Sequence, residues 1–326
     1  MRKERIMTSQ NKFPNLELFP IVNIERVSIP ERNFLISLPP IGIGTPEVES
    51  LSSYISRLAR EYFVAPNHLL KACVERYFGS NSYLKDINYN INSCKRVNGL
   101  DKITETAVSS IEKATGRQDV IYMTLLPWQT ILSPKQMKYK RAWCSACFQS
   151  DLENKTPVYE RLLWKIDVVE SCPIHNQNLT SICPHCESEQ ASLSTYSFPG
   201  FCSHCKTWVG ESHSPSLQGK ASDFSIWISS EIGNIIAASH KARKDIQARI
   251  VFANSIRSIM DNTPYFTYSC LRHKTGLAAN TIKKLVFAEM KISFRVLIKL
   301  CRSFDCSAVD ILLGNKFNLT EKKTVK

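Results

Sequence analysis

The sequence reads as a mainly α protein with a small metal-binding insert: a helical N-terminal region, tandem ligand pairs in the middle and a helix-turn-helix bundle at the C-terminal end. Three observations predict this. Eight cysteine and histidine residues between Cys144 and Cys205 fall in four pairs, each separated by two residues. Apolar residues on either side of that window recur at three-and-four spacing, the mark of helices with one buried face. Residues 241–326 hold 17 Lys and Arg against 6 Asp and Glu, so nearly all of the net charge of +13 lies in the last quarter of the chain.

The ligand pairs are Cys144-Ser-Ala-Cys147, Cys172-Pro-Ile-His175, Cys183-Pro-His-Cys186 and Cys202-Ser-His-Cys205. A pair at this spacing sits on a tight turn and aims two donors at one point, and two such knuckles complete a tetrahedral zinc shell. Pairing in chain order gives one three-cysteine-one-histidine site (Cys144, Cys147, Cys172, His175) and one four-cysteine site (Cys183, Cys186, Cys202, Cys205). A cross-braced arrangement, in which alternate knuckles share a metal, stays open. In either case protein fills every position, so two zinc ions are expected in structural roles with no place for a catalytic water. A redox dithiol or a disulfide framework could use the same cysteines, but four pairs in about sixty residues fit metal binding better. His185 and His204, inside the knuckles, are expected to be turn residues facing solvent.

A chain of 326 residues that is 43% apolar can bury real cores, and its length allows about two or three domains. No run approaches the roughly twenty apolar residues of a membrane helix, and Met1-Arg-Lys-Glu-Arg-Ile lacks the apolar stretch of a signal peptide. An intracellular, cytoplasmic protein with no membrane partner is therefore expected. Seven of the twelve cysteines are ligands. The others, Cys73, Cys94, Cys270, Cys301 and Cys306, are expected to pack as small hydrophobes in a reducing compartment. A basic segment such as 241–326 is an electrostatic footprint for a polyanion, most often nucleic acid, or else a solubilising surface.

Taken in order, residues 1–33 carry three prolines and no periodicity, and read as an extended leader. Residues 34–140 form a helical domain. Phe34–Leu38 could add a short strand. Thr45 as cap, with Pro46 at the first helical position, predicts a helix start. The stripe Val48, Leu51, Tyr54, Ile55, Leu58 and Ala59 follows. A second helix runs from Pro66 to a stop at Gly79, and the pair forms an αα corner suited to packing. Residues 80–102 are polar and read as a loop, and a helix over 104–114 ends at Gly116. Residues 141–210 are the metal-binding region. Within it, residues 157–169 fit a helix or a strand equally, with Trp164 packing on a knuckle. Residues 211–240 comprise a linker over 211–221 and a helix from Asp223. Residues 241–326 form the basic domain, opening with a helix over 241–260.

The run Glu49-Ser-Leu-Ser-Ser-Tyr-Ile-Ser-Arg-Leu-Ala59 resembles the opening signature of the TniQ family of transposition proteins, which includes TnsD. The resemblance continues through Trp143-Cys-Ser-Ala-Cys147, Tyr159-Glu-Arg-Leu-Leu-Trp164, Cys172-Pro-Ile-His175, and Leu179 before Cys183-Pro-His-Cys186. It covers about residues 34 to 210. Tyr54 stands where family members often carry tryptophan, so a large aromatic is kept. The resemblance implies a bacterial, DNA-associated target-selection factor that does no strand chemistry and recruits an AAA+ ATPase of the TnsC type.

Leu271-Arg-His-Lys-Thr-Gly-Leu-Ala-Ala-Asn-Thr-Ile-Lys-Lys-Leu285 has the helix-turn-helix pattern. Leu271 anchors the first helix, Gly276 supplies a positive φ, Leu277 plugs the corner, and Ile282 and Leu285 seat the second helix. With the helices after it, this stretch resembles the five-helix repressor-type DNA-binding domain. Arg272 stands where that pattern usually has alanine. Asn280, Lys283 and Lys284 are expected to project from the reading helix toward bases or phosphates, with Arg272, Lys274 and Lys291 serving the backbone. A trihelical bundle for dimerisation or protein docking is the bland alternative.

The sequence contains no Walker-type glycine loop, no HExxH helix and no recognisable acidic triad, so no enzyme is expected. The leading expectation is a transposon adaptor that links a target-recognition complex, such as a CRISPR RNA-guided effector, or target DNA to the ATPase. The alternatives are a TnsD-like reader of a fixed DNA sequence and a zinc-containing transcription regulator. A homodimer is plausible, since helix-turn-helix domains commonly pair across a two-fold axis.

Overall fold

A computed structural model of the chain describes residues 33–79, 96–210, 219–242, 245, 247–262 and 267–315. The leader over 1–32, most of the loop over 80–102 and most of the linker over 211–221 lie outside these residues. So does Cys94. Residues 33–326 cluster as one compact unit.

Helix α1 (Leu51–Glu61) begins at Ser50, whose side chain accepts from the Ser53 amide. The start expected at Thr45 is thereby corrected. The Thr45 hydroxyl instead caps a local turn by accepting from the Glu47 amide, and Val48 is buried just outside the helix. Helix α2 (Pro66–Phe78) follows the four-residue corner over 62–65 and stops at Gly79. Helix α3 (Lys102–Thr115) starts at an Asp101 capping box and ends at Gly116. These three helices pack on one another through Leu51, Ile55, Leu58, Leu70, Ala107 and Ile111. No strand forms at Phe34–Leu38. That segment is a strap whose Leu35 amide donates to the Ala114 carbonyl at the end of α3.

Two short 3-10 turns (Val120–Met123 and Leu126–Trp128) lead away from α3. Trp128 is buried, and its indole N–H reaches the Ile235 carbonyl and the Ser239 hydroxyl, both at 3.2 Å. The cysteine-rich region contributes α4 (Ser145–Glu153) and a hairpin of β1 (Ser171–Cys172) and β2 (Gln177–Asn178), antiparallel with Cys172 opposite Gln177. The stretch that fits helix and strand equally turns out to be a 3-10 turn, Leu162–Lys165. Such a turn buries four successive residues in a tight corner, which neither pure period describes.

Helix α5 (Asp223–Ala237) starts at the Ser222 cap. Helix α6 (Gln247–Asn262) begins later than the expected 241, because Ala238–Lys241 forms a separate 3-10 turn. Then come α7 (Tyr268–Thr275), α8 (Ala279–Val286), α9 (Phe294–Phe304) and α10 (Ala308–Leu313). The C-terminal bundle is fastened to the rest of the chain. The loop between α8 and α9 pairs with residues 131–133: the Ile292 amide donates to the Ile131 carbonyl at 2.9 Å, and the Ser133 amide donates to the Ile292 carbonyl at 2.8 Å. Gln136 accepts from the Phe294 amide, Arg295 pairs with Asp167, and Glu231 accepts from the Ala308 amide.

Candidate metal centres and nucleic-acid face

The eight ligand atoms gather into two groups, and in each group they lie within 4.8 Å of one another. The groups are Cys144, Cys147, Cys172 and His175, and Cys183, Cys186, Cys202 and Cys205. Pairing therefore follows chain order and is not cross-braced. In the first group Cys147 Sγ lies 3.6 Å from Cys172 Sγ and 3.2 Å from His175 Nδ1. In the second, Cys183–Cys205 and Cys186–Cys202 are both 3.7 Å apart. A tetrahedral ion with metal–sulfur bonds of about 2.3 Å sets its sulfurs about 3.8 Å apart, so both groups have the right span. All seven thiols are free, which disposes of the disulfide alternative.

Each ligand is placed by local structure. Cys144 caps α4, so Cys147 lies one turn in. Cys172 ends β1, and His175 lies in the hairpin turn before β2. The second group is held by two similar turns, closed by the bridges Ile182–Glu189 and Phe201–Trp208. Within the first group, hydrogen bonds from Cys147 and then Cys172 pull the Cys144 thiol down to about 3, while its bond with Cys144 drives the Cys147 thiol well above the usual range. Thiolate and imidazole donors suit a borderline-soft ion. His185 and His204 are exposed and stay out of both groups, and His185 reaches the Trp208 carbonyl at 3.2 Å.

A small aromatic core joins the two centres. Phe148 on α4 meets Trp164 edge-on at 5.4 Å and Trp208 at 6.2 Å. Trp164 thus packs beside the first knuckle, as expected. Trp208 is pinched at Gly200, where a Cβ would come within 2.1 Å of the indole.

Sequence reasoning missed a buried ionic web around these centres. Arg161 holds Asp151 of α4 with two bonds of 2.6 and 2.7 Å and also reaches Glu47. Glu160 takes Arg141 and Lys165 together, and all three side chains are out of solvent. Burial alone would raise the Glu160 carboxyl, but the charges of Arg141 and Lys165 outweigh it and hold the group below the usual carboxylate range. Arg141 then bonds the carbonyls of Phe198 and Phe201 and the Gln190 amide oxygen, beside the second centre. Glu49, with Ser53 and Arg57, forms a further buried cluster on α1. Glu49, Ser53, Arg57, Glu160 and Arg161 all lie within the runs already quoted, but nothing in those runs marks them as buried.

In the C-terminal bundle, Gly276 has φ +64° between α7 and α8, and Leu277, Ile282 and Leu285 are buried. Asn280, Lys283 and Lys284 stand exposed on α8. Arg272 and Lys274 are exposed on α7, so the arginine at the alanine position does not disturb the packing of the two helices. Lys291 is placed differently, since its ammonium donates to the Gln129 carbonyl at 2.6 Å and helps fasten the bundle. Cys73 and Cys301 are buried as expected, whereas Cys270 and Cys306 are partly exposed.

Two four-ligand groups and a helix-turn-helix bundle of a DNA-binding kind thus lie in one chain. Residues 40–179 match the TniQ family model, so this part of the chain is similar to a TniQ domain. Residues 255–313 match the Cro/C1-type HTH DNA-binding domain. The TniQ match ends before Cys183, so the four-cysteine centre lies outside it. No curated protein matches the chain. Both matched domains are of non-catalytic kinds. Among the described residues no helix is long and apolar enough to cross a membrane.

Proposed function

We propose that the protein is a target-site selection adaptor of a transposon, without enzymatic activity of its own. The helix-turn-helix bundle engages DNA, and the N-terminal helices with the two metal centres form the platform for an AAA+ ATPase of the TnsC type. A CRISPR RNA-guided effector is the target-recognition partner in this reading, and each four-ligand group holds one structural Zn²⁺. A zinc ion at each group supplies a closed cross-link between segments far apart in sequence.

The observation that carries the reading is the fastening of the bundle to the TniQ domain through Ile292, Phe294 and Arg295. A part that binds DNA and a part that recruits a motor are held in one geometry, which is what positioning an insertion requires. The test is co-purification of the chain with an AAA+ ATPase of the TnsC type, using variants of Lys283 and Lys284 in place of truncation. Removing residues 241–326 would uncover the face of α5 that α10 covers and confuse folding with function. ATPase binding that persists in a DNA-binding variant supports the division of labour; loss of both together sinks it.

A second reading, direct sequence-specific binding in the manner of TnsD, is favoured by the exposure of Asn280, Lys283 and Lys284 on α8. Gel shifts across random and candidate duplexes at stated salt separate the two.

A further inference from the structure

Helix α1 ends in a two-bond cap. The Val64 amide donates to the Ala59 carbonyl at 3.0 Å, and the Phe63 amide donates to the Arg60 carbonyl at 3.2 Å. Such a cap needs one residue in the left-handed region, a position that glycine usually takes. Here it is Phe63, with φ +54° and a side chain 97% exposed. A phenylalanine in this place strains the backbone and leaves a large apolar ring in water. Among the described residues the ring gains no burial in return.

Beside it opens a cleft of about 500 Å³, whose walls include Arg60, Val64, Ala65, Tyr196, Phe198 and Phe201. The walls come from the corner between α1 and α2 and from the segment leading into the fourth knuckle. Arg60 lines it, and Lys206 stands against one of its walls, Tyr196, while also donating to the Ser203 carbonyl. Arg60 is exposed and pairs with no acid among the described residues. The Lys206 ammonium lies 3.8 Å from the centre of the Tyr196 ring. Glu61 is also exposed and, like Lys206, is not a lining residue of the cleft, but it touches none of the cleft's rings.

We propose that this cleft docks a linear segment of a protein partner, one that inserts an aliphatic or aromatic side chain beside Phe63 and sets a carboxylate against Arg60 and Lys206. A concave apolar pocket with a few polar groups at its edge recognises such a side chain, and the paired cations select the acid. Single-stranded nucleic acid fits less well, because stacking along the cleft needs open ring faces beyond that of Phe63. Lys206 covers one face of Tyr196, Phe198 stands edge-on to Tyr196 at 87°, and Phe201 is crossed by Trp208 at 68°. The proposal goes beyond the adaptor reading, since it concerns the chemistry of the segment and holds whichever protein supplies it.

The test uses the full chain. Random peptides displayed on phage are selected against it, and the best are resynthesised with a fluorescent label for polarisation titrations. The selected peptides are expected to converge on an apolar residue with a neighbouring Asp or Glu. Phe63→Gly is expected to keep or raise the melting temperature, because glycine suits the cap, yet to weaken peptide binding by about tenfold or more. Arg60→Glu is expected to weaken it as well. No convergence, equal binding by Phe63→Gly, or a lower melting temperature for that variant each overturns the proposal. So does a variant that leaves peptide binding intact but loses oligothymidylate or oligouridylate binding, or loses self-association in sedimentation.

Discussion

Arg141 and Glu160 meet out of solvent, and their pairing ties the approach to the first knuckle to the loop that crosses the start of α1. The Ser50 amide donates to the Glu160 carbonyl, and the Ser53 hydroxyl accepts from the Glu160 amide. Arg141 continues to the carbonyls of Phe198 and Phe201. One residue, through its backbone and its carboxylate, therefore links the start of α1 and the Lys165 segment to Arg141 and so to the second metal centre. Removing it leaves the Arg141 and Lys165 charges buried without a counter-charge, a change that costs about 3–5 kcal/mol. Urea titration of Glu160→Ala should show a loss of that size, and a loss of under about 1 kcal/mol would mean the web is solvated in solution.

Elemental analysis should find two zinc ions per chain, and Cys144→Ser should retain the one in the second shell. The two shells differ in exposure. Cys144, Cys147 and Cys172 are buried, whereas Cys186 and Cys205 are partly open. Chelator challenge followed with a chromogenic zinc indicator should release metal in two phases, and Cys183→Ser should remove the fast one.

Gly200 lies at φ +81°, with the Trp208 indole where a Cβ would stand. Gly200→Ala must displace that ring from Phe148 and Phe201. Overpacking of this kind costs about 1–3 kcal/mol. The expected readout is a lower unfolding midpoint and faster metal release from the four-cysteine shell, with the first shell unaffected.

Burial lifts the Glu49 carboxyl to about 7, against the pull of Arg57, from an ordinary value of 4.5. Between those values the folded protein holds a proton that the unfolded chain has given up. The contribution of this group is fully present below about pH 4.5 and is lost as pH rises through about 7. In Glu49→Gln the amide can still turn its oxygen to Arg57 and donate to Ser53. Unfolding midpoints across pH 5 to 8 should therefore fall more steeply for the native chain than for the variant. Parallel curves would show that Glu49 is ionised throughout.

Lys283 and Lys284 stand exposed on α8. If both contact phosphates, the double substitution to alanine should weaken duplex binding on all sequences and reduce the salt slope by about two. Asn280→Ala should instead relax discrimination at one base pair, at a cost of about 1–3 kcal/mol. A salt slope unchanged in the double variant would turn attention to another face.

The ligand set, most helices and the turn at Gly276 could be read from sequence because each depends on local chemistry. A two-residue gap aims two donors at one point, a three-and-four stripe marks a buried helix face, and a left-handed turn calls for glycine. The helix start at Ser50 was missed because Thr45 and Pro46 satisfy the same local rules, and only the strand-like contact of residues 48–50 with 160–162 holds the chain extended past them. The charged web was missed for a related reason. A charge usually faces solvent, so nothing in the pattern around Glu160 or Arg141 announces burial.

By itself the sequence determined which side chains can bind metal, where most helices lie and that a repressor-like helix-turn-helix stands at residues 271–285. Tertiary structure alone decided that knuckles pair in chain order, that Lys291 fastens the bundle to Gln129, and that Phe63 stands exposed beside a cleft. Ligand spacing and helix period are fixed within a few residues. Which knuckle meets which, and which charge is buried, depends on contacts between segments up to 162 residues apart, and no local pattern encodes those.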